Sequence, residues 1–354
     1  MPSRAELERA RELILRHGWN ATAYQILNPG IGLWFAKSAE GVIGFVPCYR
    51  VRVVAGAPVC AEESLSAVIA EFEGEAAAAG ERVCYFAAES RLASHLAGSP
   101  NYARLLLGAQ PVWLPARWPA ILAARASLRA QLNRARNKAV TVRELDTGQA
   151  AVVPVLNRLL GEWVATRGLP PLHFLVETQT LERLFDRRVW LAEQRGIIVG
   201  YLIATPIPLR NGWLIEQIIR GREAPNGTAE LLIDSLMRAA AAEGYDLVTL
   251  GLAPLSRRAR LPAERTRLWL HLLLIWMRAH GRRFYNFDGL DAFKAKLQPD
   301  AWEPIYALAN SRNFSPWTLY AAAAAFTHGS PLITIGRGLL RAVRTELRRM
   351  APRG

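Results

Sequence analysis

Apolar residues recur along this chain in two registers, and the switches between them mark out its elements. Arg4–His17 carries its apolar positions at helical spacing and predicts an opening amphipathic helix. Ile31–Ala36, Val42–Val46 and Tyr49–Val54 are short apolar runs punctuated by Gly41 and Gly56, which predicts a strand meander. Glu62–Ala79 reads as a helix, Arg82–Ala87 as a buried strand and Arg91–Leu96 as a short helix. Val112–Leu114 is expected as a strand before a turn at Pro115 and Pro119. Leu128–Val140 follows as a basic helix with Leu128, Leu132 and Ala135 on its apolar side.

The succession then repeats. Ala150–Thr166 is expected as a helix. Val189–Glu193, Ile197–Pro206 and Trp213–Arg220 form a second antiparallel meander, broken by Gly196 and by the turn signal Arg210-Asn211-Gly212. Thr228–Glu243 is a helix with Leu231, Leu232, Leu236 and Ala239 at helical spacing, Gly244 stops it, and Tyr245–Gly251 is another strand. Strand, strand, strand, helix, strand, helix is the core order of an acetyltransferase-type (GNAT) fold, in which a helix N-terminus beside a splayed strand pair holds the acyl donor's phosphates. The expected fold class is α/β (α+β), with tandem GNAT-like acyltransferase domains and mixed, largely antiparallel sheets. The expected boundaries are 1–145 for a degenerate first domain, 146–310 for the second domain with the active site, and 311–354 for a basic amphipathic tail.

Three stretches carry more than pattern: APNGTAELLID from Ala224, TLGLAPLS from Thr249 and FYNFDGLDAFKAKLQPDAWEP from Phe284. With SLRAQLNRARNKAV from Ser127, they resemble the C-terminal domain of phosphatidylglycerol lysyltransferases of the multiple peptide resistance factor type (DUF2156), from Trp19 to Ala309. The resemblance implies a tandem of GNAT-like domains and aminoacyl transfer from aminoacyl-tRNA to a lipid head group. The best-known members carry a membrane-embedded flippase region ahead of this domain, which has no counterpart in the sequence. The first half lacks an APNG or K-x-K motif, so its expected role is structural or acceptor-binding.

Charge sharpens the choice of partner. The chain has 354 residues, 51% of them hydrophobic, a net charge of +14 and a pI near 10.4. That balance suits a polyanion: nucleic acid, an anionic membrane, or both. Cys48, Cys60 and Cys84 lack metal-ligand spacing and sit in strand-like surroundings, which suggests buried thiols in a reducing cytoplasmic setting. No metal or cofactor is expected. The longest apolar run, Leu268–Met277, contains His271 and is too short to cross a bilayer. After Asn310, Leu332, Ile335, Leu339, Leu340, Val343, Leu347 and Met350 recur at helical spacing, with Arg337, Arg341, Arg344 and Arg348 along one flank. This predicts an interfacial helix on an anionic membrane, the alternative being a helix packed on the protein's own core.

The chemistry points to a short list. Aminoacyl transfer needs a base for the acceptor, oxyanion stabilisation, and cations for phosphates. Glu216, on a central strand flanked by apolar residues, is the base candidate, and Arg220 four positions on is expected to face the same side; the alternative is an internal ion pair. In the resembled family an acidic residue and an Arg stand three apart, a register that here places Gln217 opposite Arg220. Asn226 and Gly227 open a helix and suit an anion or an ordinary N-cap, and Glu230 caps or lines the site. Arg222 with a single Gly227 does not complete the loop of acetyl-CoA users, which argues against CoA as donor.

Lys294 and Lys296 follow Tyr285-Asn286 in the K-x-K motif; on a helix they lie about 200° apart, so one site takes only one of them. Resemblance favours Lys294, as a catalytic residue that binds phosphate; Lys296 is kept among the substrate-binding candidates, the alternative being a place on the surface. His173, in a Pro-containing loop that lines the substrate in the resembled family, is a base or a structural residue. Arg129, Arg134, Arg136 and Lys138 track a phosphate backbone or form a solvated face.

The leading expectation is an aminoacyltransferase, peripheral on the inner face of the cell membrane, without a transmembrane segment. The alternatives are an N-acyltransferase using acyl-CoA or acyl carrier protein, and a non-catalytic tRNA- or membrane-binding module.

Overall fold

The computed structural model describes residues 2–145, 152–165, 173–181, 183–259 and 287–327. The chain starts with α1 (Arg4–His17), set by a capping box in which Ser3 Oγ accepts from the Glu6 N–H and Glu6 accepts from the Ser3 N–H. A meander of β1 (Gly32–Phe35), β2 (Gly41–Cys48) and β3 (Val51–Ala55) follows, with β4 (Val59–Cys60) paired back onto β2. α2 (Leu65–Ala78) returns the chain so that β5 (Arg82–Ala88) runs parallel to β3, as a crossover helix permits. Next come α3 (Ser90–His95), β6 (Ala103–Trp113), α4 (Trp118–Ala124), α5 (Ala126–Arg136) and β7 (Val140–Glu144).

The second half repeats the order. After α6 (Val153–Ala165) comes the meander β8 (Arg188–Gln194), β9 (Ile197–Ile207) and β10 (Gly212–Arg220). α7 (Thr228–Ala242) then crosses over to β11 (Leu247–Thr249), parallel to β10. β12 (Ala253–Pro254), α8 (Phe287–Lys296), β13 (Ala301–Ala309) and α9 (Pro316–Thr327) complete the described chain.

All of the strands join one 13-stranded sheet, ordered β1-β2-β3-β5-β13-β6-β11-β10-β9-β8-β7 along its main path. Only β3/β5 and β10/β11 pair in parallel among the described strands, so the tandem GNAT-like architecture with a mixed, largely antiparallel sheet is the one observed. The two halves exchange strands. β6, from the first half, pairs with β11, and β13, from the end of the second, lies between β5 and β6. β6 runs for 11 residues where the sequence predicts a strand only over Val112–Leu114, because Gly108 and Pro111 interrupt its apolar run. Gly108 is required there: at φ 153 a Cβ would lie 2.2 Å from the Ala253 carbonyl of β12.

Helices cover both faces. On β9 the alternation is visible residue by residue: Tyr201 and Ile203 pack with Leu156 and Leu159 of α6, while Leu202 and Ala204 pack with Leu232 and Leu236 of α7. Each fully buried Leu or Ile among them contributes about 1.5–3 kcal/mol. In the first half, Phe72 and Val68 of α2 cover one face, and α1 and α9 the other. The alanines of α9 let it approach closely, so Ala321, Ala322 and Ala325 lie in the first half's core beside Val53 and Ile14. The stretch assigned to a tail from Ser311 therefore begins inside the fold, while Leu332–Met350 lies outside the described residues.

Cys60 and Cys84 are buried, and burial pushes their thiols up to about 11 and about 12. A partly buried ion cluster ties the halves together. Arg210, between β9 and β10, donates to Glu89 at 2.9 Å and to Glu303 at 2.6 Å, and Gln110 also donates to Glu303.

Candidate active site

β10 and β11 pair from Gly212↔Leu247 to Leu214↔Thr249 and then part. Beyond that point β10 carries a bulge at Glu216, between Ile215 and Gln217, and runs on to Arg220, while β11 turns away at Leu250. A bulge re-aims a side chain and increases strand twist. The parted strands form the splay that the element order predicts, with the N-terminus of α7 following β10.

Lys294 shapes the exit of β11. It is buried, and its Nζ donates to the carbonyls of Leu250, Gly251 and Leu252 at 2.7, 2.8 and 2.9 Å. An ammonium has three N–H groups, so these acceptors satisfy it in full. Burial pushes its pKa down to about 7, against the pull of Asp291. The lysine expected to take a phosphate is thus spent on backbone carbonyls, because α8 turns it inward. Lys296 faces the other way, donating to Glu230 Oε1 at 2.5 Å with Nζ 5.2 Å from the Phe293 ring centre. That pair fixes α8 to the first turn of α7, where a carboxylate is favoured. Tyr285 and Asn286 lie outside the described residues.

Glu216 does not pair with Arg220. Its carboxylate accepts from Arg187 Nε at 2.9 Å and Nη2 at 3.4 Å, both side chains being almost fully buried. The expected shared face assumed an unbroken strand; the bulge removes that parity, and Arg220 is exposed at the strand end. Arg187 also donates to the Arg183 carbonyl and to Asn28 Oδ1, and Arg183 donates to the Leu27 carbonyl. The segment before β8 is thereby stitched to the first half. The internal ion-pair alternative is the one seen for Glu216, with a different arginine.

Next to the bulge stands a second pair. His173 Nδ1 lies 2.8 Å from Glu177 Oε2, with the His side chain 27% exposed and Glu177 3%. Glu177 is held from behind by the Gln179 N–H on Oε1. Gln217 Nε2 donates to the Glu177 and Thr178 carbonyls and to Thr180 Oγ1, which seats this segment against β10. Gln217 Oε1 is buried without a donor among the described residues. A partly exposed imidazole, with a buried carboxylate fixing one nitrogen, is an arrangement suited to moving a proton. Glu177 and Arg187 were not singled out from sequence. The i, i+4 spacing of His173 and Glu177 was an available signal; Arg187 offered none.

At the start of α7, Gly227 is the N-cap, at φ 97, and Asn226 is exposed and does not cap. α5 lies across this end: a Cβ on Gly227 would stand 2.1 Å from the Gln131 carbonyl. Of the basic residues on and after α5, Arg129 donates to the Leu122 and Ala123 carbonyls at the end of α4. Arg136 pairs with buried Asp234 at 2.8 Å, which also accepts from Trp118 and Arg238. Arg134, on α5, and Lys138, just after it, are exposed. No cluster of metal-ligating side chains occurs among the described residues, and no described helix is long and apolar enough to cross a membrane.

Comparison with known proteins agrees with this fold. The phosphatidylglycerol lysyltransferase C-terminal family matches residues 11–309. A phosphatidylglycerol lysyltransferase of Bacillus subtilis is 25% identical over 315 residues, which cover 88% of this chain and 36% of that protein. The crystal structure of a C-terminal DUF2156 domain from Agrobacterium fabrum superposes with a TM-score of 0.77 at 24% identity, over 92% of this chain and 98% of that one. L-PGS from Bacillus licheniformis superposes with a TM-score of 0.75 at 22% identity, over 97% and 98%. At these identities the two structures establish a common fold.

Proposed function

Because the chain belongs to the phosphatidylglycerol lysyltransferase C-terminal family, we propose that it is an acyltransferase moving an aminoacyl group from aminoacyl-tRNA to the head group of a phosphatidylglycerol-like lipid. The observation that carries this reading is the splay of β10 and β11 with the His173–Glu177 pair seated beside the Glu216 bulge. In this scheme the lipid hydroxyl oxygen attacks the carbonyl carbon of the aminoacyl ester. Its proton passes to the His173 imidazole, held by Glu177. The tetrahedral intermediate collapses, the bond to the tRNA ribose oxygen breaks, and that oxygen receives the proton. General base catalysis of this kind contributes about 10²–10⁴ in rate. Lys294 acts as a positioning residue that keeps the β11 exit in shape, and the Glu216–Arg187 pair holds the bulge. Arg134 and Lys138, with the overall charge of +14, are suited to the donor's phosphates. The site is proposed to work at the inner membrane surface.

The test is transfer by the purified chain, using tRNA charged with labelled amino acids and vesicles containing phosphatidylglycerol, read by mass spectrometry of the lipids. An aminoacylated head group, lost after ribonuclease treatment and in His173→Ala, is the expected result. A product that forms from acyl-CoA and not from charged tRNA would replace this reading with a thioester-dependent acyltransferase. No product from either donor would leave a binding module.

A further inference from the structure

The tip of the β2–β3 hairpin meets the first turn of α9 in an exposed cluster of rings. Tyr49 packs edge-on to Trp317 at 5.5 Å and tilted to Tyr320 at 5.1 Å, and Trp317 stacks on Tyr320 at 5.7 Å. The Trp317 indole N–H donates to the Tyr49 carbonyl at 3.0 Å. Even so, Trp317 is 53% exposed and Tyr49 41%. The cluster is rigidly mounted, since the alanines of α9 are in the core directly behind it.

Arginines surround it. Arg50 follows Tyr49 at the hairpin tip; its carbonyl accepts from the Arg82 N–H at 3.0 Å, and Asn310 N–H donates to the Val83 carbonyl, which brings Arg312 to the same end of the sheet. Arg50, Arg82 and Arg312 are all exposed, and no ion pair of theirs occurs among the described residues. Glu81, beside Arg82, is taken by Arg52 at 2.6 Å.

We propose that this patch docks the protein on the headgroup region of an anionic bilayer. Indole and phenol rings, apolar in body and polar at one end, settle at such an interface, and guanidinium groups around them meet lipid phosphates. The three rings are packed edge-on or against one another in a single cluster, not set out as successive platforms along a groove on which nucleic-acid bases stack. Residues 328–354, which follow α9 in the sequence, hold six Arg and one Glu. The proposal deepens the reading of a lipid acceptor, but it is scored without turnover.

The experiment is flotation of the full chain with phosphatidylcholine vesicles, with and without phosphatidylglycerol. Binding only to the anionic vesicles is expected. Arg50→Gln, Arg82→Gln and Arg312→Gln combined should weaken it on the order of a hundredfold, at about fivefold per charge. Tyr49→Ser with Trp317→Ser should weaken it at unchanged charge, with melting temperature unchanged. Brominated acyl chains should quench wild-type tryptophan fluorescence, and Trp317→Phe should lose that quenched component; this result decides the matter if the serine variants melt early. Wild-type-like binding by the variants would assign the membrane to residues 328–354 and overturn the proposal. So would equal binding to neutral vesicles, or an effect confined to tRNA retention or self-association. A chain that binds vesicles through this patch yet transfers nothing would sink the proposed reaction and leave the docking surface standing.

Discussion

Replacing Glu216 by alanine strands a guanidinium in the protein interior. Arg187 is 2% exposed and Glu216 3%, so neither charge has water to fall back on. Removing one partner of a buried pair costs about 3–5 kcal/mol, mostly as the burial cost of the charge left behind. Arg187 would keep its bonds to the Arg183 carbonyl at 2.6 Å and to Asn28 at 3.2 Å, which places the loss near the lower end. Deleting both charges with apolar side chains, Glu216→Leu with Arg187→Met, removes the cation along with its partner, and such replacements of buried pairs range from about neutral to stabilising. The double variant should therefore recover much of the loss and be more stable than Glu216→Leu or Arg187→Met alone, a coupling at or above the upper end of the about 0.5–3 kcal/mol usual for neighbouring residues. Urea unfolding at neutral pH, followed by tryptophan fluorescence, measures all four corners of the cycle. Transfer per folded molecule separates structure from chemistry: a structural pair regains activity in the double variant, and a catalytic Glu216 does not. A single-variant loss within about 0.5 kcal/mol, or a double variant no better than the worse single, would refute the pairing argument.

Burial pushes the Glu89 carboxyl up from 4.5 to about 7, so between those values the folded chain holds a proton the unfolded chain has lost. Stability should fall as pH rises through that window, and Glu89→Gln should flatten the slope in melts taken across it. Gly227→Ala combines a left-handed backbone with a Cβ 2.1 Å from Gln131, and should cost more than the about 1–2 kcal/mol of the backbone alone, read by urea midpoint. Lys294→Met removes the donor to three carbonyls; amide exchange at the β11 exit should quicken and transfer should drop, without loss of overall helix content by circular dichroism. His173→Ala should slow transfer by about a hundredfold or more at unchanged stability, with Glu177→Gln between it and wild type.

Element types came through in the sequence wherever periodicity was strong, as in α1, α2, α7 and both meanders. The longest strand of the first half did not, because Gly108 and Pro111 break its pattern, and what makes that segment a strand is β13, almost two hundred residues away. The site was legible by residue type more than by role. His173 and Lys294 both stand out in the sequence, yet burial and partners decide what each does. Nothing local to Glu216 announces Arg187, since the contact depends on a bulge and on a segment held by Asn28 of the other half.

The exchange of β6 and β13 has a consequence for biosynthesis. In the finished sheet β5 is flanked by β3 and β13, so one of its edges has no partner until Ala301–Ala309 has left the ribosome. At about 5–20 residues per second, that edge stays open for on the order of 10–40 s. An unpaired strand edge is a template for the wrong neighbour. Chains interrupted anywhere between Ala88 and Ala301 should accumulate as aggregates or chaperone-bound species instead of releasing a folded first half. The last strand to be made closes the first part of the sheet, so the two halves are two by element order and one by folding.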